Sequence, residues 1–153
     1  LLATQSMAPR TAALLAMSGV LAEHPRLHFV FVETNAAWLA WAMSTLDFYC
    51  DAFQHYEGWV RPVLPEKPSH YIARQLHSTF QFDPVALTNF RHTGPAPLLW
   101  GSDFPHAEGT YPKSRDTVRR LFEGIELPAV AEMVAGNAAR LFRFDPAVLS
   151  TPV

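Results

Sequence analysis

The sequence predicts an α/β fold built on a parallel sheet, and three observations carry that prediction. Short apolar runs, Leu27–Glu33 and Leu98–Trp100, are too brief for helices and too continuous for strands with one wet face. They read as interior strands covered on both sides. Stretches with apolar residues at three- and four-residue steps alternate with them, and turn formers separate the two kinds. Such alternation implies crossover units and a parallel sheet.

In chain order, Ala12, Leu15, Ala16, Gly19 and Val20 predict an amphipathic helix over Pro9–Glu23, stopped by His24-Pro25. The first strand, Leu27–Glu33, ends in an acid. Thr34-Asn35 is suited to cap a helix from about Ala36 to Tyr56. Its stripe of Trp38, Leu39, Ala42, Met43, Leu46, Tyr49, Cys50 and Phe53 is expected in the core, and Asp47 and Asp51 argue against a membrane span. Gly58–Pro68, with three prolines, reads as irregular surface chain, and Ser69 as the cap of a short turn over His70–Arg74. Gln75–Phe80 is a weaker third strand candidate. Asp83 caps a helix opened by Pro84 and closed by Gly94-Pro95. After the strand Leu98–Trp100, Ser114 is expected to cap a helix over Arg115–Glu123 that ends at Gly124. Pro128 opens another to about Ala135, Gly136-Asn137 breaks it, and Ala138–Phe142 forms a last short helix. The tail from Asp145 is expected to be peripheral.

At 153 residues the chain is long enough for one domain with a real core. A net charge of -2 gives no electrostatic reason to expect nucleic acid or an anionic membrane as partner. One cysteine, Cys50, excludes an internal disulfide and a cysteine-rich zinc site, so a reducing, cytoplasmic setting is expected. The first residues lack the regions of a signal peptide. They also lack an initiator methionine, which suggests processing or a piece of something longer.

Active groups of parallel α/β folds collect at the carboxyl ends of strands. That rule selects Glu33, Ser78 or Thr79, and Asp103. Two acids and a hydroxyl on one rim could bind a divalent metal or relay protons. A buried acid is costly unless paired, and Asp103 stands where an apolar run stops. The competing reading of this stretch is a tight turn capping the next helix. His106, three residues on, could bind a substrate carboxylate or carry a proton. His77 could share the rim or face away from it. The remaining histidines read as ordinary imidazoles.

The run Trp100-Gly101-Ser102-Asp103-Phe104-Pro105-His106-Ala107-Glu108-Gly109-Thr110-Tyr111-Pro112 resembles the strand-eight signature of the amidohydrolase-related family of metal-dependent hydrolases and decarboxylases. Other parts resemble it in the same order. His24-Pro25-Arg26-Leu27 and the strand to Glu33-Thr34-Asn35-Ala36-Ala37-Trp38 look like strand six and its helix. Lys67-Pro68-Ser69 with Thr79-Phe80 looks like the strand-seven region, and Gly136–Phe142 like the closing helix.

The resemblance implies the carboxyl-terminal part, about strands six to eight, of a (β/α)8 barrel, forming one partial domain over residues 1–153. It implies a divalent metal, zinc above others, with Asp103 as ligand or proton-handling base. It places Glu33, Trp38 and His106 among the substrate-binding residues; Glu33 stands where some relatives carry a catalytic histidine. The family's His-x-His pair, expected from the first strand, is absent from this sequence. The expected partners are therefore a small carboxylated or cyclic substrate and either a second copy or a missing amino-terminal half, with no turnover by this chain alone. Two rivals remain. One is a non-catalytic, degenerate barrel remnant that serves assembly or binding. The other is a metal-free enzyme in which Glu33 and Asp103 act as an acid pair.

Overall fold

The computed structural model describes residues 2–54, 56, 62–145 and 147. Part of the stretch Gly58–Pro68 and most of the tail beyond Asp145 lie outside these residues. Three strands, β1 (Phe29–Phe31), β2 (Leu76–Phe80) and β3 (Leu98–Trp100), form one parallel sheet in the order β1-β2-β3. Phe29 pairs with Leu76, and Ser78 with both Phe31 and Leu98.

Side chains alternate across a strand, so these pairs also share faces. Phe29, Phe31, Leu76, Phe80, Leu98 and Trp100 meet the helices in the hydrophobic core, and Val30, His77, Thr79 and Leu99 take the other face. Leu76 and Phe80 are almost fully buried, and each such side chain contributes roughly 2–3 kcal/mol by leaving water.

The helices are α1 (Leu2–Met17), α2 (Val20–Glu23), α3 (Trp38–Gln54), α4 (Pro68–Gln75), α5 (Pro84–Thr88), α6 (Phe90–Thr93), α7 (Ser114–Leu121), α8 (Leu127–Ala131) and α9 (Asn137–Phe142). No helix among the described residues is long and apolar enough to cross a membrane. Ala12 and Ala16 of α1, Leu39 and Met43 of α3, and Tyr71 and Ile72 of α4 pack together against the sheet.

Several boundaries differ from the sequence-based expectation. The first helix starts earlier, carries Pro9 inside it, and stops before Gly19, which has φ +85°. A Cβ at Gly19 would meet Pro62 Cγ at 2.8 Å, so the break needs a residue without a side chain. Gly136-Asn137 does not break the last helix. A π-helical turn, Glu132–Gly136, joins α8 to α9 without interruption, and a Cβ at Gly136 would meet the Glu132 carboxylate at 2.9 Å. Asn137 uses its side chain elsewhere, donating to the carbonyls of Pro95 and Leu98 at 2.7 and 2.9 Å. Ser114 is the first residue of α7 and makes no capping bond there. Ser69 likewise lies inside α4; its amide and hydroxyl both donate to Asp47 of α3, at 2.8 and 2.7 Å. Tyr49, expected in the core, is 50% exposed.

Asp83 does cap α5, with Oδ1 accepting from the Ala86 amide at 3.0 Å. Its other oxygen, Oδ2, accepts from the amides of Ala36 and Ala37, both at 2.8 Å, just before α3. The capping expected from Thr34-Asn35 is therefore supplied from a different βα unit. Asp83 is only 6% exposed. Removing it would strand three amide donors, and Asp83→Ala should lower stability by about 3 kcal/mol. A urea midpoint unchanged by that substitution would contradict this account of the frame.

Candidate metal centre

Two loops leave the carboxyl ends of β1 and β3 and bring their acids together. The first carries Glu33 and Asn35 in the left-handed region, at φ 58° and 54°; the second carries Asp103 at φ 58°. For residues with a Cβ this conformation costs roughly 1–2 kcal/mol each, so the surrounding structure has to impose it.

Around the first loop the imposing groups come from β2. Thr79 Oγ1 accepts from the Glu33 amide at 2.8 Å, and Ser78 Oγ donates to the Asn35 carbonyl at 2.5 Å and meets the Thr34 hydroxyl at 2.9 Å. Both hydroxyls selected from the sequence thus bind the backbone or side chains of the loop that carries Glu33.

The second loop closes on itself. Gly101 donates to the Phe80 carbonyl and Thr110 to the Ser102 carbonyl, while His106 donates to Asp103 and Gly109 to His106 through the main chain. Gly109 lies against that backbone, and a Cβ there would stand 2.8 Å from the Asp103 carbonyl oxygen and 3.0 Å from those of Ser102 and His106.

Glu33, Asp103 and His106 meet as a result, each offering one ligand atom within 4.8 Å of the others. His106 Nδ1 lies 3.0 Å from Asp103 Oδ1 and 3.7 Å from Glu33 Oε1. The Asp103 side chain is 11% exposed, against 54% for His106 and 57% for Glu33. Asp103 Oδ2 has Gln81 Nε2 at 3.5 Å, and Gln81 in turn accepts from the Trp100 indole through its carbonyl at 3.1 Å. A cavity of about 200 Å³ between the loops is lined by Val32, Glu33, Thr79, Gln81 and Asp103, among others. Gln81 was not singled out from the sequence, where a lone glutamine after a strand carries no signal.

His77 lies towards the other end of β2. Its Nε2 is 3.1 Å from His28 Nδ1, and it does not line the cavity beside Asp103. Trp38, at the start of α3, donates its indole N–H to the Asn35 carbonyl at 3.0 Å and meets Phe31 edge-on. It too lies outside the lining of that cavity.

The hydrogen bond and charge of Asp103, with Glu33 adding to them, raise the His106 pKa above the ordinary 6.5. The stabilising contribution of a raised imidazole is complete below its unfolded pKa and disappears as pH rises through the folded value.

Two carboxylates and an imidazole at the carboxyl rim of a parallel α/β layer form a donor set that could hold a divalent cation. The chemistry of the set fits: hard oxygens with one nitrogen, as zinc and manganese accept. The sequence profile of the amidohydrolase family matches residues 5–144, and the chain belongs to that family.

Among solved structures, a 5-carboxyvanillate decarboxylase from Sphingomonas paucimobilis is 26% identical, with 86% of this chain and 38% of that chain covered and a TM-score of 0.68. An amidohydrolase from Mycobacterium avium subsp. paratuberculosis K-10 is 21% identical over 90% of this chain and 33% of that one, with a TM-score of 0.72. A dihydroxybenzoic acid decarboxylase from Polaromonas sp. JS666, solved with bound manganese and the inhibitor 2-nitroresorcinol, is 18% identical over 96% and 43%, with a TM-score of 0.72. The last two likenesses bear on fold alone. The chain spans 33% to 43% of the length of these three proteins. No curated protein sequence matches it. The relatives are TIM barrels, whose parallel α/β build this chain shares.

Two outcomes are expected. Histidine-resolved NMR should give His106 a pKa above 6.5, falling back towards that value in Asp103→Asn; indifference to the substitution would remove Asp103 as the cause. Gly109→Ala should displace the 102–110 loop, lower stability by about 2 kcal/mol, and abolish the His106 shift.

Proposed function

We propose that this chain is the carboxyl-terminal part of a (β/α)8 barrel enzyme, a single partial domain whose β1, β2 and β3 correspond to strands six, seven and eight. In the complete protein, Glu33, Asp103 and His106 lie at a divalent-metal site, with zinc as the ion. The observation that carries this reading is the approach of the three side chains to within 4.8 Å at the sheet's carboxyl rim. Two further facts support the barrel assignment: β1 and β3 each pair only with β2 among the described residues, and a whole barrel takes about 250 residues.

In this proposal Asp103 is the ligand or proton-handling base. When bound, the ion supplies Lewis-acid polarisation of a substrate oxygen. The substrate is a small carboxylated or cyclic compound, acted on by hydrolysis or decarboxylation, and the likeness to the 5-carboxyvanillate decarboxylase supports the second. Loss of carbon dioxide leaves an electron pair on carbon that needs a proton, and His106 can hold one at Nδ1 against Asp103. In the absence of the ion, a protonated imidazole also suits a substrate carboxylate. Glu33 lines the cavity between the two loops together with Asp103. Trp38 takes a substrate-positioning role through Asn35, since its indole steadies the loop that carries Glu33.

A second reading, a non-catalytic barrel remnant assembled with another copy of itself, is favoured by the outer edges of β1 and β3, unpaired among the described residues, and by Val32, which is 62% exposed. A stable, well-folded monomer in sedimentation would remove it.

Taken alone, the chain should bind zinc more weakly than micromolar in calorimetry and show no turnover. Micromolar or tighter binding would overturn the claim that ligands are missing. In the complete enzyme, Asp103→Asn should reduce kcat by roughly a hundredfold or more; undiminished turnover would remove Asp103 from the chemistry.

A further inference from the structure

Charge also gathers at the opposite end of the strands. A cavity of about 450 Å³ is lined there by Arg26, His28, Arg74, His77, Arg140 and Arg143, together with small and apolar residues and Asn137. Arg26 and His28 precede β1, Arg74 is in the last turn of α4, and His77 is the second residue of β2. Arg140 is in the last turn of α9 and Arg143 forms its C-cap. No carboxylate lines this cavity among the described residues.

Two of the four guanidinium groups have structural partners. Arg74 donates to Gln75 Oε1 and to the Leu21 carbonyl, and Arg140 donates to Glu132 and to Asn137 Oδ1. Arg26 and Arg143 make no side-chain hydrogen bond or ion pair among the described residues.

The two imidazoles bond to each other and to the main chain. A carbonyl oxygen only accepts, so the 3.3 Å contact between His77 Nδ1 and the Ala96 carbonyl places a proton on Nδ1. Burial holds His77 neutral by lowering its pKa. Its Nε2 therefore accepts, and His28 Nδ1 donates across 3.1 Å.

Four guanidinium groups line one cavity and, among the described residues, only Arg140 is paired with a carboxylate, so their like charges repel one another. An oxyanion removes that repulsion, and a guanidinium fork matches the geometry of carboxylate and phosphate. We propose that this cavity binds a small metabolite through its phosphate or carboxylate groups, with Arg26 and Arg143 as the principal contacts. The volume is in the range usual for small-molecule sites. The site lies apart from Glu33, Asp103 and His106 and does not depend on their role.

The test is calorimetric titration of the chain at low ionic strength with pyrophosphate and, separately, citrate, using sodium chloride as the control for screening. Saturable binding of either anion, absent with chloride, is expected; the tighter of the two identifies the phosphate or the carboxylate ligand. The Arg26→Gln/Arg143→Gln pair should weaken it about tenfold or more, while Asp103→Asn should leave it unchanged. If circular dichroism shows the double variant unfolded, Arg26→Gln alone is read, with a loss of roughly threefold expected. No saturable binding of either anion, or binding undiminished in the variant read, would overturn the proposal.

Discussion

Much of this structure depends on where the Asp83 carboxylate points. It accepts three amide hydrogens, one from its own helix start and two from the start of α3, 46 and 47 residues away in sequence. Helix starts expose amides that need acceptors, and a charged acceptor in a site closed to water is worth more than a neutral one at the surface. One buried side chain therefore fixes two βα loops relative to each other. The first of those loops carries Glu33. Amides do the same work at the amino ends of the strands, where Gln75 donates to the carbonyls of His24 and Leu27, and Asn137 to those of Pro95 and Leu98. Each pair of carbonyls belongs to a turn that leads into a strand, closed by the amide of its fourth residue. Tying loops to distant side chains in this way lets strands of only three residues hold their register.

The candidate metal centre is built on that frame at an energetic cost. Glu33, Asn35 and Asp103 all sit in left-handed backbone, and Gly109 lies against three carbonyl oxygens that leave no room for a side chain. Local strain that converges on two acids and an imidazole is the signature of a region shaped for chemistry rather than for stability. The opposite end of the sheet presents guanidinium groups, so the two ends of the strands carry opposite formal charge. A chain whose net charge is only -2 thus has two strongly charged ends.

Much of this was legible in the residues. Brief, continuous apolar runs marked β1 and β3, because a strand covered on both faces has no polar alternation. Asp83 before Pro84 was readable as a cap, since capping is local. Its bonds to Ala36 and Ala37 were not, because nothing in the intervening residues records which loops will meet. The same limit applies to Gln81 beside Asp103, and to the hydroxyls of Ser78 and Thr79, whose partners lie across the sheet. Gly136-Asn137 looked like a helix break because both residues are poor helix formers. The glycine continues the helix beside the Glu132 carboxylate, and the asparagine's amide serves the turn before β3. His77 could not be placed from the weak alternation of its strand, which left open both its face and its position along β2.

This frame brings Glu33, Asp103 and His106 to within 4.8 Å of one another, the arrangement that the proposed cation site needs. Paramagnetic manganese tests it directly, because the ion broadens NMR signals only near where it binds. With excess manganese added to the chain, signals of the 33–35 and 101–107 loops should broaden first and together. Broadening centred on another acidic group, such as Asp47 and Asp51 on α3, with the two loops untouched, would contradict the account.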